Sequence, residues 1–139
     1  MKVAITAMGP GLNAAFSPVF GRAPYFVIVE VDGGNVSEIK SIPNPAAQAA
    51  RSAGIIAAQT LVSEGVSAVI SGSIGPNAHM VLSQAGIGMY SCGGATVLDV
   101  ARAFAQNACT PITAPGRYGP GYGRGRGWGR GGGWGRGPW

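Results

Sequence analysis

Between residues 47 and 108 the apolar residues change period repeatedly, and that alternation limits the possible folds more than any other feature of the chain. Ala47 to Glu64 carries Ile55, Ala58, Leu61 and Val62 at helical spacing, with Gly65 where a helix C-cap belongs. Val66 to Ser71 is a short apolar strand. Gly72-Ser73-Ile74-Gly75 follows, and Pro76 suits a first helical position. Ala78, Val81, Leu82 and Ala85 then share one helix face, closed by Gly86. Ile87 to Tyr90 reads as another strand and Cys92-Gly93-Gly94 as the loop after it. Thr96-Val97-Leu98-Asp99 has the Thr-x-x-acid form of a capping box. It opens a helix whose stripe is Val97, Val100, Ala101, Phe104 and Ala108. Strands alternating with helices in this way make right-handed β-α-β units with parallel pairing.

The first third of the chain has a different character. Lys2 to Thr6 alternates and is rich in β-branched residues, as a strand requires. Met8 to Ser17 is a loop bounded by Pro10 and Pro18. Pro24 to Val31 is the strongest strand signal present. Asp32-Gly33-Gly34-Asn35 is a turn, Val36 to Ile42 pairs back as a hairpin, and Pro43-Asn44-Pro45 ends it. The predicted order is β-β-β-α-β-α-β-α, an α/β fold with a mixed five-stranded sheet and flanking helices. From about residue 111 periodicity ceases, which divides the chain into a folded part, 1–110, and a tail, 111–139.

Charge follows the same division. Residues 1–115 carry five basic and five acidic side chains, so the net charge of +5 belongs to residues 116–139. That segment holds five arginines, 12 of the 25 glycines and all three tryptophans, and no acid. It cannot bury a core and is expected to be disordered. No apolar run reaches the ~20 residues of a membrane span. Met1 to Thr6 reads as a strand rather than a leader, and two cysteines are too few for a disulfide scaffold. A cytoplasmic protein with reduced thiols is the expectation.

Three glycine-rich loops follow strands: Gly9-Pro10-Gly11, Gly72 to Gly75, and Cys92-Gly93-Gly94. They should gather at the carboxyl ends of the central strands, where open α/β sheets bind ligands. Two run into helix N-termini, whose free N–H groups and positive dipole end suit an anion. Gly9 to Ala14 matches a dinucleotide fingerprint, but Pro18 leaves no room for the helix it must open. No Gly-Lys-Ser/Thr makes a phosphate loop, and no acids converge for metal-assisted hydrolysis. The candidate binding residues are Gly11, Asn13, Arg22, Gly72, Ser73, Gly75, Asn77, Gly93 and Gly94. Cys92 and His79, the latter in the first turn of the second helix, are the candidate metal ligands. Cys109 has no assigned role.

At Phe20-Gly21-Arg22-Ala23-Pro24-Tyr25-Phe26 and Gly72-Ser73-Ile74-Gly75-Pro76-Asn77-Ala78 the sequence resembles the dinitrogenase iron–molybdenum cofactor biosynthesis family, the NifX-like and orange-protein-like domains. The resemblance covers about residues 1–108. It implies a ribonuclease-H-like fold without catalytic acids. It also implies non-enzymatic binding of an anionic metal–sulfur cluster, of the molybdenum–iron or molybdenum–copper type, by a carrier or assembly factor that exchanges it with donor and acceptor proteins. Two positions depart from the family: Val19 stands where many members have a histidine, and His79 where an apolar residue is usual.

The tail supports a rival reading. Tyr118, Tyr122, Trp128, Trp134 and Trp139 interleave with Gly-Arg repeats. Arginine pairs with phosphate and aromatics stack on bases, so such a segment suits single-stranded nucleic acid or an acidic protein partner. On that reading the chain is an interaction module.

Overall fold

The computed structural model describes residues 1–47 and 53–113. The elements are β1 (Lys2–Ala7), β2 (Tyr25–Asp32), β3 (Asn35–Pro43), α1 (Ala53–Glu64), β4 (Ala68–Ile70), α2 (Pro76–Gln84), β5 (Gly88–Ser91), α3 (Val97–Ala105) and β6 (Thr110–Pro111). The expectations for residues 48–52 and for the Gly-Arg-aromatic tail lie outside the described residues. None of the described helices is long and apolar enough to cross a membrane.

The strands form one mixed sheet in the order β3-β2-β1-β4-β5-β6. β1, β4 and β5 are parallel, and β2, β3 and β6 join them antiparallel. The sheet thus has six strands where the sequence predicts five. The addition is β6, which pairs with β5 through Tyr90–Pro111 and Ser91–Thr110. Asn107, with φ of 60°, reverses the chain after α3 and returns it to the sheet edge. Two residues cannot show a period of two, so nothing in the pattern announces this strand. It lies across the expected boundary at residue 110.

Both sheet faces are covered, which explains why β1 and β2 read as near-continuous apolar runs. Ala4, Phe26, Ile28 and Val69 point to one side and pack with Leu61 of α1 and Leu82 of α2. Val3, Ile5, Val27, Val29 and Ile70 point to the other and pack with Val97, Val100 and Ala101 of α3. Each large side chain buried in this way contributes about 1.5–3 kcal/mol. β3 is the longer of the two edge strands. A register shift between Ile28 and Val29 leaves Ile39 outside the pairing, between the charged Glu38 and Lys40. A bulge and charges together discourage pairing with another chain.

α1 buries Ala53, Ala57, Ala58 and Leu61. Val62, placed by sequence on the inner face, is 40% exposed. The true stripe is rotated toward the alanines because α1 packs closely on α2, where only small side chains fit. Gly21, Gly54 and Ala78 make successive close approaches: a Cβ on Gly21 would lie 3.2 Å from the Gly54 nitrogen, and one on Gly54 would lie 3.4 Å from the Ala78 Cβ. Ala85 and Ala108, also predicted to face inward, lie outside α2 and α3 and are exposed.

Candidate functional site

Parallel pairing brings the carboxyl ends of β1, β4 and β5 to one pole of the sheet, and the loops after them interlock there. The loop after β4 crosses the loop before β2. Ser73 N–H donates to the Pro18 carbonyl at 2.9 Å, and Phe20 N–H donates to the Ser73 carbonyl at 3.3 Å. The loop after β5 is tied to the same place, since the Ser91 hydroxyl donates to the Gly72 carbonyl at 3.3 Å. Buried hydroxyls complete the base. Thr6 Oγ1, fully buried, donates to the Ser17 carbonyl at 2.6 Å, and the Ser71 hydroxyl reaches the Ser73 carbonyl at 3.2 Å.

The two helix starts at this pole differ. That of α3 is closed. Val97 N–H donates to the Ala14 carbonyl and Leu98 N–H to the Leu12 carbonyl, both at 2.9 Å. Asp99 N–H donates to Thr96 Oγ1 at 3.2 Å, and the Asp99 carboxylate accepts from Thr96 N–H at 3.3 Å. The capping box read from sequence is therefore present, and it removes the anion-binding capacity expected of that end. α2 is open. Its N-cap, Gly75, offers no side-chain cap and Pro76 has no N–H to donate. The first intrahelical bond runs from His79 N–H to the Gly75 carbonyl, so the amides of Asn77 and Ala78 sit at the uncapped positive end.

The candidate residues divide accordingly. Gly72, Ser73, Gly75 and Asn77 lie together on the β4–α2 connection. Gly93, exposed, is on the neighbouring loop. Gly94 serves packing, because a Cβ there would meet Val100 Cγ2 at 2.8 Å. Gly11 is turned toward β3, where its N–H donates to Ser41 Oγ at 2.9 Å, so that group is not available to an anion. Asn13 is exposed on the same loop. Arg22 is exposed, with Nη1 donating to the Ala47 carbonyl at 3.4 Å. His79 sits in the first turns of α2, with Nδ1 3.4 Å from Ser83 Oγ. Its Nε2 is buried and lacks a partner among the described residues.

The expectation of reduced thiols is corrected. Cys92 and Cys109 are joined in a disulfide, with Cα atoms 4.7 Å apart. In this form Cys92 has no thiolate to offer a metal. The two residues meet because β6 returns beside β5, the pairing that sequence periodicity could not show. Among the described residues no three His, Cys, Asp or Glu side chains gather as a metal-binding group.

Asn44 is the positioning residue that sequence reasoning passed over. It is 5% exposed, its Nδ2 donates to the carbonyls of Gly21 and Ala23 at 3.1 and 2.8 Å, and its Oδ1 accepts from Ala46 N–H. This fixes the segment that presents Arg22. The signal was its place between Pro43 and Pro45, read only as a strand end. A cavity of about 660 Å³ lies away from this pole, between β5, β6 and the end of α3, lined by Val31, Tyr90, Phe104, Asn107, Cys109 and Pro111 among others.

Comparison with known proteins agrees with this frame. The family model for dinitrogenase iron-molybdenum cofactor proteins matches residues 1–107. An uncharacterized protein of Methanocaldococcus jannaschii is 32% identical over 106 residues, covering 76% of this chain and 86% of its own. The apo form of the orange protein from Desulfovibrio gigas superposes with a TM-score of 0.74 at 33% identity, over 84% of this chain and 96% of that one. A Thermotoga protein described by its solution structure as NifB-related gives 0.69 at 34% identity, over 85% and 98%.

Proposed function

The chain belongs to the dinitrogenase iron–molybdenum cofactor family, and on that premise we propose that it binds and carries an anionic metal–sulfur cluster without catalysing a reaction. The observation that carries the reading is the contrast between the two helix starts at the loop pole. One is sealed by its own loop and capping box, while α2 begins with Gly75 and Pro76 and has no side-chain cap. A helix start without a cap, set among interlocked loops, is a place for a ligand that supplies the missing negative charge.

A thiomolybdate-type cluster containing iron or copper is polyanionic and presents sulfides as hydrogen-bond acceptors. The exposed Asn77 amide, with Gly93 from the adjacent loop, would hold it by charge-assisted hydrogen bonds. Arg22, on the loop fixed by Asn44, adds attraction from the rim. His79 is the side chain on α2 able to add a coordinate bond, since a neutral imidazole nitrogen is a metal ligand. Holding the cargo largely by backbone dipoles keeps it exchangeable, as transfer between donor and acceptor proteins of cofactor assembly requires.

The test is reconstitution. Protein purified anaerobically is given tetrathiomolybdate with copper or iron salts, freed of excess reagent, and assayed for metal content and visible charge-transfer bands. Stoichiometric retention, weakened about tenfold by Arg22→Ala, a loss of about 1.4 kcal/mol, supports the reading. A folded protein that retains no metal contradicts it.

A further inference from the structure

The disulfide lies outside the binding chemistry just described, and its surroundings suit reaction rather than permanence. Both cysteines are only partly buried. Cys109 lines the open cavity beside β5 and β6, so a reductant has a route to its sulfur. Cys92 is the first residue of the loop that carries Gly93 and Gly94. Cys109 immediately precedes β6, whose two residues are both exposed. The segment from Asn107 to Ile112 is held to the sheet by the β5 pairing and by Ile112 N–H donating to the Met89 carbonyl at 2.8 Å. Without the covalent link, few bonds remain to keep this edge in place.

We propose that Cys92–Cys109 is a thiol–disulfide exchange site for dithiol reductants, which releases β6 and loosens the loop at Gly93 when it opens. A thiolate of the reductant attacks Cys109 Sγ along the cavity, the Cys92–Cys109 bond breaks, and Cys92 leaves as a thiolate. The second thiol of the reductant then attacks its own sulfur in the mixed disulfide. Cys109 departs as a thiolate, and the reductant becomes a cyclic disulfide. Two electrons pass to the protein, and the two protons lost by the reductant's thiols remain available to its cysteines. Exchange with an oxidised dithiol runs the same steps backward. The connection to cargo rests on the carrier reading above; the exchange chemistry and the release of β6 do not.

The experiment uses the full chain without metal, so a failure to take up a cluster leaves its outcome unaffected. Protein is treated with dithiothreitol in the absence of denaturant, alkylated, and analysed by mass spectrometry and hydrogen exchange. The expected result is two alkylated cysteines while the fold persists. Exchange at Ser91, Thr110 and Ile112, whose segments pair β5 with β6, should rise about tenfold while β1 and β2 stay within about twofold. Reaction of the single-cysteine variants with an aromatic disulfide reagent compares how open each sulfur is to an external sulfur, the property that decides which one a reductant reaches. Cys109 in Cys92→Ser should react at least about fivefold faster than Cys92 in Cys109→Ser. Reduction that occurs only after unfolding, or exchange unchanged by reduction, overturns the proposal. Faster reaction at Cys92 overturns the assigned direction of attack. A Cys92→Ala, Cys109→Ala double variant that shows the reduced exchange pattern without reductant supports it, and one that keeps the oxidised pattern contradicts it.

Discussion

A Cβ placed on Gly72 would stand 2.5 Å from the carbonyl oxygen of Pro18, the same oxygen that accepts the Ser73 N–H. The crossing of these two segments fixes the pole of the sheet, and it exists only because residue 72 lacks a side chain. Gly72→Ala should therefore force the loops apart and cost about 1–3 kcal/mol, as overpacking does. Gly93→Ala, where no atom lies within 4 Å of the new carbon, should stay within about 0.5 kcal/mol of the parent. Denaturant unfolding of the two variants checks the contrast.

Asn77→Asp separates stability from binding. A carboxylate in the first turn of α2 meets the positive helix end, which should raise stability by about 0.3–1 kcal/mol. The same charge repels an anionic cargo and should weaken its binding by about tenfold or more, the factor given by 1.4 kcal/mol. Thermal unfolding of the apo protein and cluster titration of both proteins measure the two effects.

Thr96→Ala removes the hydroxyl that accepts from Asp99 N–H and breaks the capping box. The expected cost is about 0.5–2 kcal/mol. Cluster affinity of the folded protein should be unchanged, because this helix end is closed to the ligand. Equal losses in Thr96→Ala and Asn77→Asp affinities would show that both helix starts take part.

The packing of α1 predicts a further contrast. Leu61 is fully buried between the helices and the sheet, and Leu61→Ala should cost about 2–5 kcal/mol. Val62, one residue on and 40% exposed, should tolerate alanine within about 0.5 kcal/mol. Urea midpoints of the two variants distinguish this orientation from the one expected from periodicity alone.

Those two residues also show how far the sequence reaches. Helical spacing identifies α1, yet it cannot rank Ala57 against Val62, because the choice depends on how closely Gly54 approaches Ala78. Thr96 and Asp99 are legible because a capping box is local. The closing of the α3 start by Leu12 and Ala14 is not, since it needs a loop about 85 residues earlier to return to that point. The open start of α2 is visible in Gly75-Pro76, which offers neither a side-chain acceptor nor a proline N–H. The disulfide escapes a reading based on periodicity: Cys92 and Cys109 become neighbours only through a two-residue strand reached by a left-handed turn at Asn107.

Backbone amide shifts followed by nuclear magnetic resonance during a titration with tetrathiomolybdate test the central claim most directly. The account predicts saturable shifts centred on Asn77 and Ala78, extending to Ser73 and Gly93, and much reduced in Asn77→Asp. Shifts centred instead on Tyr90, Phe104 and Asn107 around the cavity, or none at millimolar ligand (a Kd weaker than about 1 mM, or −4.1 kcal/mol), would contradict it.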